Sequence, residues 1–520
     1  MTATAAAHPP VAGRTAPAEA DYVRGSTLLV VGRLVAQLAD IGVLVLLARY
    51  LSKSDYGALA YALSLVILFK ALALFELPNT LGRFLPIYRE AGRENSVLGS
   101  VVTGILLVAG LGTALAIGID IAILTLHIHP TGDSTALHMA ALLAFVIPIE
   151  ALDVLLTSLF AVFAGARAIF VRQAILGPTL KIAFIAAVLT LRADLRGVGI
   201  GYLAAGATGV VTYAWMLRAL LKPQFKRPGR LPIRMAFPLR ELVCFAAPLL
   251  ASTLVWTLME SSDSLLLGYF RGTRDVATFR AVMPLAVLNK GVILTFGLLY
   301  TPMIARLYAR RRSIEISDAY WRSAAWVTLL TLPVFVLTFS FARATTIGLL
   351  GAKYEGSVKI MAILAFGYFF HTALGYNGLT LRIYGKLRYS VAVDLLAAVM
   401  NVGVNILLIP SFGALGAAVG TSSTLVVHNL LKQWGLRRYT GIPLFARRYA
   451  RIYLSTFGIA AAFLVIQQLA PVSLWLALIF AAAAAVAVVR WAGAALDVRA
   501  VFPELGRVPL LAALLAPTRA

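Results

Sequence analysis

Cysteine is almost missing. Cys244 stands alone among 520 residues, which excludes an intrachain disulfide and any thiolate metal cluster. Charge is scarce too, at 13% Asp, Glu, Lys and Arg, where soluble domains carry roughly 25%. Acids are the rarer sign, 22 Asp and Glu against 46 Lys and Arg. No Walker loop, zinc motif or nucleophile elbow occurs. No nucleotide, metal or other cofactor is therefore expected, and no catalysis. His127, His129 and His138 cluster without a cysteine or a close acidic partner, a poor metal set. A cleavable leader is not apparent. Residues 1–24, rich in Ala, Pro and Thr, read as a disordered cytosolic arm.

Apolar residues fill the space left by charge. The hydrophobic fraction is 60% and the mean hydropathy +0.87, so the chain belongs in a bilayer, where a helix needs about 20 apolar residues to cross. The pattern predicts an all-α integral membrane protein of about fourteen transmembrane helices. In the first half they run Thr27–Ala48, Tyr56–Leu77, Val97–Leu124, Ala136–Gly165, Phe170–Leu191 and Val198–Leu220. In the second they run Leu242–Phe270, Val276–Ile304, Ala324–Phe341, Val358–Leu381, Val391–Ile409 and Ala414–Leu431, and Ile452–Leu469 and Val472–Val489 close the series. The partition is an N-lobe at 25–221, a basic cytosolic linker at 222–240, a C-lobe at 241–436, a terminal helix pair at 437–493 and a cytosolic tail at 494–520.

The formal net charge of +24 does not point to nucleic acid, because the bases punctuate apolar segments instead of forming a continuous soluble face. Anionic lipid headgroups are the expected partner. With the N-terminus inside, about 32 of the Lys and Arg fall at cytosolic ends and loops, about 9 at outer ones and about 5 within spans. Both termini are then cytosolic, in a bacterial inner membrane.

Four residues of the first half return at one constant offset of 220 positions: Asp40 with Glu260, Asp55 with Asp275, Lys70 with Lys290, and Tyr88 with Tyr308. Six spans per copy is an even number, so the copies share one orientation and the substrate path lies between them. ARYLSKSDYGALAYALSLV, after the first span, resembles the opening of polysaccharide-export proteins of the O-antigen flippase type. MESSDSLLLGYFRGTRDVATFRA is similar to that family's seventh-span motif. GAKYEGSVKIMAILAFG and NVGVNILLIPSFGALGAAVGTSST resemble its tenth to twelfth spans. The resemblance covers most of residues 25–490 and is to the superfamily of multidrug, oligosaccharidyl-lipid and polysaccharide exporters. It implies two six-helix lobes arranged as a V, opening alternately to each side, with two further spans in flippase members.

Moving an anionic headgroup across hydrocarbon requires a hydrated, cationic cavity with a lateral opening. Five bases fall within spans: Arg33, Lys70, Lys181, Arg280 and Lys290. Each costs about 2.5–3.5 kcal/mol near a helix centre, so all five should face protein or water. Lys70 and Lys290, at equivalent positions, are the first candidates for contact with a diphosphate or acidic sugars, with Arg33, Arg280 and Lys181 as further substrate-contact candidates, and the resemblance puts the spans of Lys70 and Lys290 at the cavity. The competing role for each is an ion pair within its lobe, Lys70 with Asp40 and Lys290 with Glu260. Glu260 and Asp263 lie three apart, as do Glu150 and Asp153, and Asp394 falls in span eleven. These six carboxylates are candidates for a proton or sodium switch or for gating. Their alternative task is to neutralise Lys181 or another cavity base. Asp263 lies in the seventh-span motif, which favours structure or gating. Asp55 and Asp275 read as helix caps.

The composite reading is a flippase for polyprenyl-diphosphate-linked oligosaccharide in O-antigen, capsule or exopolysaccharide assembly, acting with a polysaccharide polymerase and assembly proteins. A lipid-linked peptidoglycan-precursor flippase would carry the same diphosphate lipid. A cation-coupled multidrug antiporter wants an acidic cavity, against which the intramembrane bases argue. A membrane glycosyltransferase or polymerase would need a sizeable outer loop or an acidic metal motif. The topology predicts that a reporter fused at Pro228 stays cytosolic and one fused at Gly132 becomes periplasmic, and the reverse activities would overturn the orientation.

Overall fold

A chain this apolar must pair its backbone polar groups internally, because hydrocarbon supplies no partner. Helices do so, and a computed structural model shows them. It describes residues 32, 35–125, 134–164, 170–225 and 235–496, with no strand among them. Arg33, the 1–24 arm, the loop at 126–133, the linker from 226 to 234 and the tail from 497 lie outside the described residues.

In the first half, α1 covers 35–50, α2 Lys53–Leu74, α3 Leu77–Glu90, α4 Glu94–Thr125, α5 Ser134–Ala144 and α6 Val146–Phe163. A π-helical turn at Val171–Leu176 leads into α7 (Gly177–Thr190), and α8 is Leu195–Phe225. In the second half, α9 is Leu239–Arg271, α10 Thr273–Arg280, α11 Met283–Val287, α12 Gly291–Ala309 and α13 Ser313–Phe335. There follow α14 (Ala342–Leu350), α15 (Val358–Ala373), α16 (Asn377–Ile383), α17 (Leu387–Thr440), α18 (Ala450–Leu469) and α19 (Leu474–Leu496).

Ten helical stretches among these residues are long and apolar enough to cross a bilayer. They do not map one to one onto the expected spans. Expected spans eleven and twelve are both present as two helical arms that fold back on each other at Gly413 (φ 55°, ψ −135°), together labelled α17. Expected span two continues past a break at Phe75 and Glu76, both left-handed, into α3. Glu76 pins this strained turn by accepting from Asn79 Nδ2 at 2.7 Å and from the Thr253 hydroxyl of α9. Proline accounts for other interruptions: Pro333 precedes a π-helical turn at Val336–Ser340, and Pro284 follows the break between α10 and α11. The helix-capping expectation is corrected at Asp55. Ser52 is the N-cap, accepting from the Asp55 backbone, and its hydroxyl donates to the Asp55 carboxylate at 2.6 Å. Asp275 sits in the first turn of α10 and pairs with Arg271 at 3.3 Å.

Two apolar cores result. One lies wholly in the second half, where Phe335 stacks on Phe369 (centroids 3.9 Å apart) and α18–α19 dock through Phe341, Phe463 and Phe480. The other spans both halves, joining α2, α4 and α6 to Val276, Phe279, Val282, Ile360, Leu364 and Ala417. The halves touch at both ends: at the end expected to face inward the Tyr88 hydroxyl donates to Glu241 at 2.7 Å and Phe84 meets Phe245 edge to face, and a second contact forms at the end expected to face outward. Arg49 donates to the Gly348 and Leu349 carbonyls at 2.5 and 2.7 Å, while Lys353 donates to the Leu51 and Arg49 carbonyls at 2.6 and 3.0 Å. Each half thus supplies a base to carbonyls at a helix end of the other, where the partial charge is negative. Gly57 permits a close approach here: a Cβ there would lie 1.9 Å from the Thr273 carbonyl oxygen.

Gly413→Ala tests the bend in α17. Its Cβ would sit 2.2 Å from Asp275 Oδ2, and a side chain at this φ is strained. The expected loss is about 1–3 kcal/mol, read as a lower thermal midpoint of the detergent-solubilised protein. Asp275→Ala should restore only part of it, because the backbone strain remains.

Candidate functional site

Between the halves lies a cavity of about 440 Å³. Asp40, Tyr56, Lys181 and Tyr202 line it from the first half, and Glu260, Arg280, Lys290 and Tyr368 from the second. It shares Asp40, Val43, Lys181 and Tyr202 with a larger chamber of about 700 Å³ inside the first half, lined also by Lys70, Glu150, Asp153, Arg172 and Tyr213. Nine charged groups thus converge on two connected spaces.

Their pairing is specific. Lys290 sits on a 3₁₀ turn at Leu288–Lys290, which breaks the helix just where the side chain must reach inward. It meets Glu260 at 3.4 Å, as expected, and lies over the Tyr368 ring at 5.5 Å. Lys70 does not meet Asp40. It bonds Glu150 at 2.6 Å, and Asp40 bonds Lys181 at 2.7 Å. The reason is placement: α1 turns Asp40 toward the space between the halves, whereas Lys70 faces the chamber inside the first half. Asp153 holds Arg172 at 2.5 Å, and Arg172 also donates to Thr157 and stacks on Tyr213 at 4.2 Å. Arg280 has no ion-pair partner among the described residues, its nearest polar contact being Met283 Sδ at 3.4 Å.

Five cations therefore face four carboxylates, and the interior is of mixed sign with one base in excess. The strongly positive chamber expected from the five intramembrane bases is corrected accordingly. The Asp40 and Glu260 side chains are each 56% exposed, so these pairs keep contact with the open cavity and their net attraction is small. A charged ligand can exchange with them.

Two other expected carboxylates lie elsewhere. Asp263 is buried between α9 and α17, accepting from Asn405 Nδ2 and, at 2.7 Å, from the Thr421 hydroxyl. Ser262 and Asn405 both donate to Asn401 Oδ1 beside it, and Asn405 Oδ1 has no partner among the described residues. No three His, Cys, Asp or Glu side chains converge among the described residues, but one carboxylate among neutral oxygens suits a hard cation of low charge. Asp394 is not set against a cavity base. It accepts from both His428 and Lys432, each at 2.7 Å.

The sequence reading passed over Arg172, His428 and Lys432. Arg172 and Lys432 fall at the margins of expected spans, where a snorkelling base needs no explanation. His428 lacked a visible partner, since Asp394 lies across the bend at Gly413. Arg33 is outside the described residues.

A family model described as polysaccharide biosynthesis protein matches residues 22–308, more than half of the chain. The chain belongs to this family. An uncharacterised membrane protein of Methanocaldococcus jannaschii is 24% identical over 242 residues, 46% of this chain and 47% of that protein, so the chain spans about half the length of the curated relative it matches. Among solved structures, the lipid II flippase MurJ in an inward closed conformation aligns over 93% of this chain and 99% of its own, at 15% identity and a TM-score of 0.67. An inward-facing multidrug resistance MATE family transporter of the MOP superfamily aligns over 78% and 95%, at 16% identity and a TM-score of 0.63. A MOP superfamily transporter from Pyrococcus furiosus, described as having a binding pocket of reverse polarity, aligns over 81% and 95%, at 16% identity and a TM-score of 0.55. At such identities these likenesses show the fold. The chain, a member of the polysaccharide biosynthesis family, shares the fold of these transporters, and the ten helical stretches among the described residues that are long and apolar enough to cross a bilayer fit a multi-pass membrane protein.

The Lys70–Glu150 pair is open to a double-mutant cycle. Lys70→Met and Glu150→Gln should each destabilise the protein, and the double variant should lose less than their sum, with a coupling of about 1–2 kcal/mol. Strictly additive losses in thermal unfolding would remove the pair.

Proposed function

We propose that this protein is a flippase that carries polyprenyl-diphosphate-linked oligosaccharide from the cytoplasmic to the periplasmic leaflet of a bacterial inner membrane by alternating access. It serves polysaccharide assembly, be it O-antigen, capsule or exopolysaccharide, alongside a polymerase and assembly proteins, and is not itself an enzyme. The observation that carries this reading is the cavity between the halves, where Arg280 has no ion-pair partner among the described residues and Lys290 and Lys181 sit in exposed ion pairs. A diphosphate entering there replaces Glu260 at Lys290 and Asp40 at Lys181 with bonds of the same kind, and gains Arg280 outright. The exchange leaves no base unpaired, so the headgroup crosses without stranding a charge. The polar sugars occupy the larger first-half chamber, whose Tyr202 and Tyr213 offer ring faces, while the prenyl tail remains in lipid.

The lobe boundaries follow from the same reading: an N-lobe at 25–221, a linker at 222–240, a C-lobe at 241–436 and a terminal pair at 437–493. For coupling, Asp263 with Asn401, Asn405 and Thr421 is proposed to hold a monovalent cation such as sodium. Asp40, Glu150, Asp153 and Glu260 favour one rival, an antiporter of organic cations, which would use the acids and leave Arg280 idle.

Proteoliposomes separate the two. Arg280→Ala with Lys290→Ala should slow translocation of a fluorescent polyprenyl-diphosphate disaccharide by roughly tenfold or more, while the protein remains folded and inserted. Unchanged lipid translocation, together with uptake of an organic cation dye that Glu260→Gln abolishes, would replace this reading with the antiporter.

A further inference from the structure

α17 folds back on itself at Gly413, and polar residues face one another across the bend. Asn405 and Thr421 are equidistant from Gly413, and so, further from the bend, are Asp394 and Lys432. The first layer surrounds Asp263. The second is a separate cluster that lines neither cavity.

Asp394 Oδ1 accepts from His428 Nε2 and from Lys432 Nζ, each at 2.7 Å. All three side chains are buried, with 2%, 7% and 8% of the His428, Lys432 and Asp394 side chains exposed. Because Nε2 donates to Asp394, the Nδ1 lone pair is the free acceptor of the neutral ring, and it has no partner among the described residues. The hydroxyls of Ser390, one turn below Asp394, and Thr424, one turn above His428, are buried and likewise without a partner among the described residues. Unsatisfied polar atoms along one buried seam are costly unless something exchangeable meets them. Each surrounding element brings a known set of charges. Trp256 of α9 meets His428 edge to face at 5.9 Å and lies 6.0 Å from Lys432 Nζ. From α15 comes His371, its ring 6.4 Å from that of His428 and its Nδ1 hydrogen-bonded to Asn429 at 2.8 Å. Arg382 of α16 acts on Lys432, and Lys290, on its 3₁₀ turn, acts on His371. Glu260 lies one turn from Trp256 along α9.

We infer that Asp394, His428 and Lys432 form a proton-binding site, separate from the cargo cavity. A proton from the aqueous phase adds to His428 Nδ1. No other bond changes, and the imidazolium keeps its Nε2–H bond to Asp394. Before protonation Asp394 and Lys432 cancel; afterwards the cluster carries one positive charge, attracted by Asp394 and opposed by Lys432. The site reaches the cargo path through α9. Thr253, Trp256, Glu260 and Asp263 form one stripe at helical spacing, touching in turn Glu76 of the first half, the proton site, the cavity and the buried oxygen set. A charge added beside Trp256 therefore bears on the helix that holds the two halves in register.

Proton binding is measured without cargo, by Trp256 emission in the full-length protein, since a protonated imidazole against an indole quenches it. Titration from about pH 8 to about pH 5 should reveal a quenching step that is absent from Trp256→Phe and from His428→Gln. Lys432→Met should move the step up, and Asp394→Asn should move it down, each by roughly one pH unit or more. A structural pair would not produce opposite shifts. A wild-type protein whose Trp256 component is flat with pH, or variants that shift together, would overturn the site. The coupling role rests on the flippase reading, and the fluorescent lipid assay keeps the two apart. His428→Gln should retain translocation without a gradient and lose the acceleration by an imposed pH gradient. An unaltered response to the gradient sinks the coupling role, whereas failure of the wild type to move the lipid sinks the flippase reading and leaves the proton site standing.

Discussion

The Lys290–Glu260 pair, 3.4 Å apart in an otherwise apolar bundle, shows the constraint on which the interior is built. A lone ammonium there would cost several kcal/mol, and a lone carboxylate as much. Each is tolerated because the other is near and because the cavity keeps both in contact with water. Every carboxylate of the two connected chambers has a basic partner, so the empty site is close to neutral and the bundle can assemble around it. The same arithmetic makes the site responsive. An anion with several oxygens can take over the bases one at a time, since each exposed pair is held weakly, and the displaced carboxylates already face the open space. A cavity of unpaired bases would bind anions more tightly but would be expensive to fold and slow to empty.

Placement of these groups depends on where helices are interrupted. Lys290 is carried on a 3₁₀ turn, Arg172 on a π-helical turn, and the polar layers of α17 face each other only because Gly413 bends that helix. An uninterrupted α-helix repeats its faces every three to four residues, and a side chain out of phase with its apolar neighbours would point into lipid. Local departures from α-geometry reset the phase. They recur in this protein beside residues that carry charge, in keeping with the association of π-bulges with functional positions.

How much of this was legible depended on the range of the interaction. Apolar length alone located the helices, because a span is a local property, and the bases within spans were visible as exceptions to it. Lys290 with Glu260 could be read because a repeat offset pointed to both. Pairing over long separations could not: Lys181 with Asp40, Lys70 with Glu150 and Asp394 with Lys432 depend on how helices rotate and lean once packed. Arg172 escaped notice because a base at a span margin is ordinary, and only its burial against Asp153 and Tyr213 marks it. The cap at Ser52 was misassigned to Asp55 since both residues can accept from a helix N-terminus, and the choice rests on which of them lies outside the first turn.

The repeat itself has diverged in an instructive way. Asp40 and Glu260, equivalent by the offset, both face the space between the halves. Their lysine partners do not correspond. Glu260 is met by Lys290 from its own half's equivalent position, whereas Asp40 is met by Lys181 on α7, and Lys70 is drawn away into the first-half chamber by Glu150. Substituting one partner for another preserves neutrality, so the change carries little electrostatic penalty, yet it frees volume. The first half encloses the larger chamber, lined by three ion pairs and tyrosine rings. The second half instead fills its interior with stacked phenylalanines and the buried clusters at Asp263 and Asp394. One half thus makes room and the other holds charge in buried clusters away from both chambers, and the seam between them, where Arg280 has no ion-pair partner among the described residues, is the place where the two tasks meet.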